Sequence, residues 1–142
     1  MLLKLCKFKN NIMAKKINLT LGIILIIIGL WGFASSTVLG IFEVGLWHNM
    51  VHLITGILAV IFAFRGDAGK TFLKVIGIIY LLIAIIGFFT GEGSMLFGFI
   101  EANNADDWLH LVLAVIFLWG GFAGAKKMGA PMGGSGMGGQ TM

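Results

Sequence analysis

Four long apolar segments, with every Lys and Arg gathered on one side of them, predict an all-α fold: an integral membrane four-helix bundle. Composition agrees. At 58% hydrophobic residues, 11% charged residues and a mean hydropathy of +1.00, the chain lies outside the range of ordinary soluble domains. A third observation, the recurrence of small residues and histidines in the second half, predicts that the bundle is a duplicated two-helix hairpin.

An α-helix rises 1.5 Å per residue, so crossing about 30 Å of hydrocarbon takes roughly 20 apolar residues. Helices are therefore expected at about 17–40, 47–64, 72–91 and 108–125, together a transmembrane domain over 17–125. Residues 1–16 form a basic segment before it. Met13-Ala14-Lys15-Lys16 reads as a usual translation start, and the residues ahead of it are expected to lack order. Residues 126–142 are Gly- and Met-rich, and such a tail buries too little surface to offset its ordering entropy. Its methionines are soft donors for Cu(I) in principle, but a flexible cytoplasmic tail is the expectation.

Charge placement sets the orientation. Lys4, Lys7, Lys9, Lys15 and Lys16 precede the first segment, Arg65, Lys70 and Lys74 separate the second and third, and Lys126 and Lys127 follow the fourth. The other two connections hold Glu43, Glu92, Glu101, Asp106 and Asp107 and no Lys or Arg. Since Lys and Arg concentrate in cytoplasmic loops, both termini are expected inside, N-in/C-in, in a multi-pass protein of the cell membrane. The partner this pattern calls for is the lipid bilayer, whose anionic headgroups the flanking cations meet. Nucleic-acid binding is not expected. Cys6 has no second cysteine to pair with and reads as an inert reduced thiol.

Cleavage of the first segment as a signal peptide at Ala34-Ser35-Ser36 is argued against by an internal echo. Gly22, Gly29, Gly32 and Ser36 recur as Gly77, Ala84, Gly87 and Gly91, each displaced by 55 positions. His48, Asn49 and His52 recur as Asp106, Asp107 and His110, displaced by 58. Two hairpins of like orientation follow, a parallel repeat. Gly32-x-x-x-Ser36-x-x-x-Gly40, Gly87-x-x-x-Gly91 and Gly120-x-x-x-Gly124 place small residues on one face, where close backbone approach supplies helix association in lipid. Such faces also offer a route to a homo-oligomer. The stretch 94–100 is too short to span and is expected to lie in the interface or over the outer end of the bundle.

The histidines carry whatever chemistry the chain has. His48 and His52, four apart, share a helix face, and Asp106 and His110 repeat the spacing. If the even-numbered helices are neighbours, His48, His52, Asp106 and His110 form a donor set suited to Zn²⁺ or a similar transition metal, with Glu43 or Asp107 available to orient the rings. A second arrangement uses His52 and His110 as axial ligands to a haem. The plainer expectation is structural and needs no cofactor: Asn49 and Asp107 cap or polarise helix starts, while His52 and His110 hydrogen-bond between helices.

Enzyme activity is not expected. Ser35, Ser36 and Thr55 are hydroxyls of apolar segments without a base nearby in sequence, and the phosphate-binding loop pattern is absent. No charged residue or His falls near the middle of a span, where transport relays need one. The expected role is a non-catalytic packing or interaction unit, the alternative a metal- or haem-binding membrane redox protein.

Asn49-x-x-His52-Leu53-x-x-Gly56 and Asp107-Trp108-Leu109-His110-Leu111 resemble an uncharacterised family of small four-helix prokaryotic membrane proteins, classed only as a domain of unknown function. That family carries Asn/Asp-x-x-His-Leu at the starts of helices two and four. The resemblance covers about residues 17–125 and implies a four-helix integral membrane protein without an established activity. It marks Asn49, His52, Asp107 and His110; His48 lies outside the pattern, and Ala114 stands where a Gly often follows.

Overall fold

The computed structural model of the chain describes residues 2–91, 95–96, 98, 100–101 and 103–123, with the backbone alone for 2–10, 43, 95–96 and 100–101. The fold is all-α. Helices α1 (Leu2–Ala34), α2 (Leu46–Phe62), α3 (Asp67–Thr90) and α4 (Asn104–Phe122) pack as two pairs, α1 with α2 and α3 with α4. The pairs are antiparallel: Gly22 meets Gly56 and Val60, whereas Gly29 meets Asn49 and Leu53. In the other pair Gly77 meets Leu118, and Gly87 meets Asp107. Three helical stretches, Asn11–Ala34, Asp67–Thr90 and Asn104–Phe122, are long and apolar enough to cross a membrane; α2, at 17 residues, is a shorter apolar helix.

Helix α1 departs from its expected bounds at both ends. It begins at Leu2 rather than near 17, because residues 2–16 contain no Gly or Pro and are rich in Lys and Leu, good helix formers. The lack of order expected before Met13 is thus corrected. At the other end α1 stops at Ala34 instead of 40. Ser35, Ser36, Thr37 and Val38 are polar or β-branched, and Leu39 and Gly40 both adopt positive φ. The chain turns there between two short antiparallel strands, β1 (Thr37–Val38) and β2 (Phe42–Glu43). Ser36 and Gly40 therefore leave the helical stripe that their spacing from Gly32 predicts.

The second pair has the same construction. Helix α3 ends at Gly91 (φ 82°), and β3 (Met95–Leu96) pairs antiparallel with β4 (Ile100–Glu101) around Gly98 (φ 80°). Strand β2 touches α4 and β4 touches α2, so each turn reaches the even-numbered helix of the other pair. Helix α4 starts four residues before the expected 108, because Asn103 caps it: its Oδ1 accepts from the Asp106 backbone N–H at 2.9 Å. Lys126, Lys127, Gly124 and the rest of the expected flexible tail lie outside the described residues, as does most of 94–100.

The interior is built from small, aromatic and polar residues. Leu25, Leu73, Tyr80, Ala84, Ala114 and Phe117 are buried, with the Tyr80 and Phe117 rings 5.5 Å apart. Glycines bring the helices of each pair into backbone contact: a Cβ on Gly29 would lie 2.9 Å from the Leu53 nitrogen, and one on Gly56 2.7 Å from the Gly22 carbonyl. Ile23, Ile27, Leu30, Ile57, Ile61, Ile78, Leu82, Ile85, Val112 and Val115 point outward. At one end of the bundle Lys15 lies over the Phe64 ring and Lys74 over the Phe122 ring, while the histidines sit at the other.

Candidate functional site

Helix periodicity positions the first two rings. His48 and His52 lie one turn apart in the first half of α2, and their Nε2 atoms stand 3.0 Å apart, one donating and the other accepting. His110, two turns into α4, brings a third ring to centroid distances of 5.8 Å from His48 and 5.9 Å from His52. All three are buried, and one donor nitrogen from each lies within 4.8 Å of the others. The two deeper imidazoles thus face the interior and each other.

Asp106 completes the group from the first turn of α4. Its Oδ2 lies 3.3 Å from His48 Nδ1, close enough for an ion pair but not aligned as a hydrogen bond. The Asn103 cap fixes the backbone of this turn, and a carboxylate here also meets the positive end of the α4 dipole. Since Nδ1 and Nε2 lie on opposite sides of an imidazole, Asp106 approaches His48 from behind the nitrogen that faces His52. The carboxylate is placed to orient a ring rather than to be a fourth donor beside the other three. Among the buried atoms, His52 Nδ1 and Asp106 Oδ1 have no hydrogen-bond partner in the described residues.

Asn49 and Asp107 are not the caps of their helices, although Asp107 keeps a place in the first turn of α4, where an acidic residue polarises the helix start. The cap of α2 is Gly45, without a side-chain hydrogen bond, and that of α4 is Asn103. Asn49 instead rests on Gly32 and Asp107 on Gly87; a Cβ at either glycine would overlap the carboxamide or carboxylate. The side chain of Glu43 is outside the described residues, so of the two proposed orienting carboxylates only Asp107 is visible, and it is committed to Gly87.

Tyr80 carries no motif spacing and no charge, yet its ring lies 5.3 Å from His110 and 6.4 Å from His52, edge-on or tilted, and forms the floor of the cluster. A lone Tyr among Ile, Leu and Gly of α3 was the available signal. Beside the rings is a cavity of about 20 Å³ lined by His48, Val51, His52, Ile83 and His110, room for about one water molecule. That cavity is far smaller than a porphyrin, whereas the three donor nitrogens, within 4.8 Å of one another, are a set that could hold a single metal ion.

Residues 15–123 match the family described as a domain of unknown function, DUF4383. The chain belongs to that family. The match takes in α1 from residue 15 onward and the whole of α2, α3 and α4, and agrees with the resemblance carried by Asn49, His52, Asp107 and His110. No curated protein and no solved structure matches the sequence.

Proposed function

We propose that this DUF4383 protein is a four-pass integral membrane protein of the cell membrane, with both termini cytoplasmic and no catalytic activity of its own. Its two hairpins are held in register by the polar cluster at the outer end. The observation that carries this reading is the contact between hairpins made by His48 with Asp106 and by His52 with His110. Each hairpin has glycine-mediated internal packing, whereas the two hairpins meet chiefly through side chains.

Several features support the membrane setting. Ile, Leu and Val cover the outside while Asn18, His48, His52 and Asp106 are buried, an inverted arrangement that in water would expose an unusually large apolar surface. Helix α2 spans about 26 Å at 1.5 Å per residue, short of the hydrocarbon thickness. Because α1 and α2 run antiparallel, however, α2 must carry the chain back before α3 can cross in the same direction as α1. Duplication of an ancestral hairpin is supported by matching contacts: Gly22 with Val60 parallels Gly77 with Leu118, and Gly32 with Asn49 parallels Gly87 with Asp107. Self-association through these glycines would compete with contacts they already make inside the chain.

Cysteine labelling tests the topology. In a Cys6→Ser background, Ser36→Cys should react with a membrane-impermeant maleimide in intact cells, and Ala68→Cys only after permeabilisation. The reverse pattern refutes the orientation.

A further inference from the structure

We propose that the polar cluster joining the hairpins is a binding site for one divalent first-row transition metal ion, Zn²⁺ in the first instance. His48, His52 and His110 are the ligands, and Asp106 is the positioning residue behind His48. The inference rests on the reading of this cluster as the link between hairpins, and adds what fills it.

Geometry carries the argument. Zn–N bonds of about 2.0–2.1 Å in a tetrahedral site place neighbouring donors about 3.3 Å apart. The His48 and His52 Nε2 atoms, at 3.0 Å, are already near that spacing, and the third donor lies within 4.8 Å, so binding requires the His110 ring to approach the other two. Three imidazoles without thiolates suit Zn²⁺, Ni²⁺, Cu²⁺ or Fe²⁺ rather than Mg²⁺ or Ca²⁺, which take oxygen ligands. The 20 Å³ cavity beside the rings leaves space for a water molecule as fourth ligand.

The surroundings fit the ion as well. Ligating histidines characteristically give their other ring N–H to a carboxylate, and Asp106 Oδ2, 3.3 Å from His48 Nδ1, stands on the side of the ring where that partner belongs, although the contact is not aligned as a hydrogen bond. The same carboxylate offsets part of the ion's charge, which buried neutral imidazoles cannot do. With three protein ligands from both hairpins, the metal would join α2 to α4 directly.

The test uses full-length protein with a purification tag free of histidine, in nanodiscs, stripped with chelator and titrated with Co²⁺ and Zn²⁺. The expected result is one Co²⁺ per chain, with visible d–d bands of tetrahedral intensity that Zn²⁺ abolishes. His52→Gln and His110→Gln should each remove the bands, and Asp106→Asn should keep them while weakening affinity about 10–100-fold. Circular dichroism and gel filtration identify variants that remain folded, and only those are compared. Wild-type protein that binds no more Co²⁺ than a folded His52→Gln/His110→Gln double variant overturns the proposal. Melting of the metal-free proteins separates the two readings. If the double variant melts below wild type while neither binds metal, the metal inference fails and the packing role stands. If metal binding is lost without any change in metal-free melting, the metal inference stands and metal-independent packing fails.

Discussion

His48 Nδ1 and Asp106 Oδ2 stand 3.3 Å apart across the seam between the two helical hairpins, each side chain almost wholly buried. Their sequence positions correspond under the 58-residue displacement, so the contact joins the same point of each hairpin. A buried polar pair of this kind is costly to leave half-made, because removing one partner strands the other.

A double-mutant cycle on this pair should therefore show coupling. Asp106→Ala and His48→Ala are each expected to cost about 1–3 kcal/mol of stability in metal-free protein, and the double variant less than their sum. Thermal melting in detergent micelles at fixed protein concentration measures all four corners. Strict additivity would mean that the contact contributes nothing to holding the hairpins together.

The glycines beneath Asn49 and Asp107 should be intolerant of any side chain. Gly32→Ala and Gly87→Ala each drive a methyl group into a carboxamide or carboxylate, and overpacking of this kind costs about 1–3 kcal/mol. Gly45→Ala, where a Cβ meets nothing within 4 Å, is the control and should lose only the N-cap preference for Gly over Ala, under about 1 kcal/mol. Because the obstruction at Gly32 is the Asn49 side chain itself, Asn49→Ala should recover much of the loss in Gly32→Ala. Failure of that rescue, read by the same melting experiment, would remove the proposed basis of the Gly32 contact.

The helices and the histidine cluster were legible in the sequence for different reasons. Long apolar runs force helices, because a backbone in lipid must satisfy its own hydrogen bonds. The i, i+4 spacing of His48 and His52 then fixes their shared face without knowledge of the fold. What the sequence did not disclose is tertiary. The spacing of Gly32, Ser36 and Gly40 suggested one continuous stripe, but the positive φ of Leu39 and Gly40 broke it into a helix and a hairpin turn. Asp106 was legible as a polar neighbour of the histidines; its position behind His48 depended on how α4 meets α2. Asn49 and Asp107 look like caps by residue type, yet a glycine on the facing helix gave them another place. Tyr80 carried no charge and no motif, and only the packing of α3 against α4 brings it under the rings.

The start of α4 should depend on Asn103. Its Oδ1 accepts from the Asp106 N–H at 2.9 Å, and loss of such a cap costs about 0.5–2 kcal/mol. Asn103→Ala is expected to fall in that range, whereas Asn103→Asp keeps the acceptor and should melt near wild type. Hydrogen exchange at the amides of Asp106 and Asp107 gives the local readout: protection should drop in the alanine variant and survive in the aspartate one. Equal protection in both would show that the cap is dispensable.

A second interhelical pin lies at the opposite end of the bundle. Asn18, fully buried in α1, donates from Nδ2 to the carbonyl of Gly69 in α3 at 3.1 Å and so joins the two hairpins near their basic ends. Interhelical hydrogen bonds in membranes contribute about 0.6 kcal/mol on average and up to about 1.7 kcal/mol, so Asn18→Leu, of the same branched shape, should lower stability within that span. Asn18 sits one turn beyond Gly22 and faces Gly69 together with Phe62, which places it about 15 Å along α2 from His52. At that separation, with no shared partner, the effects of Asn18→Leu and His52→Gln should add within about 0.5 kcal/mol. A larger deviation in combined melting would mean that the two ends of the seam open together, as one rigid interface rather than as two independent pins.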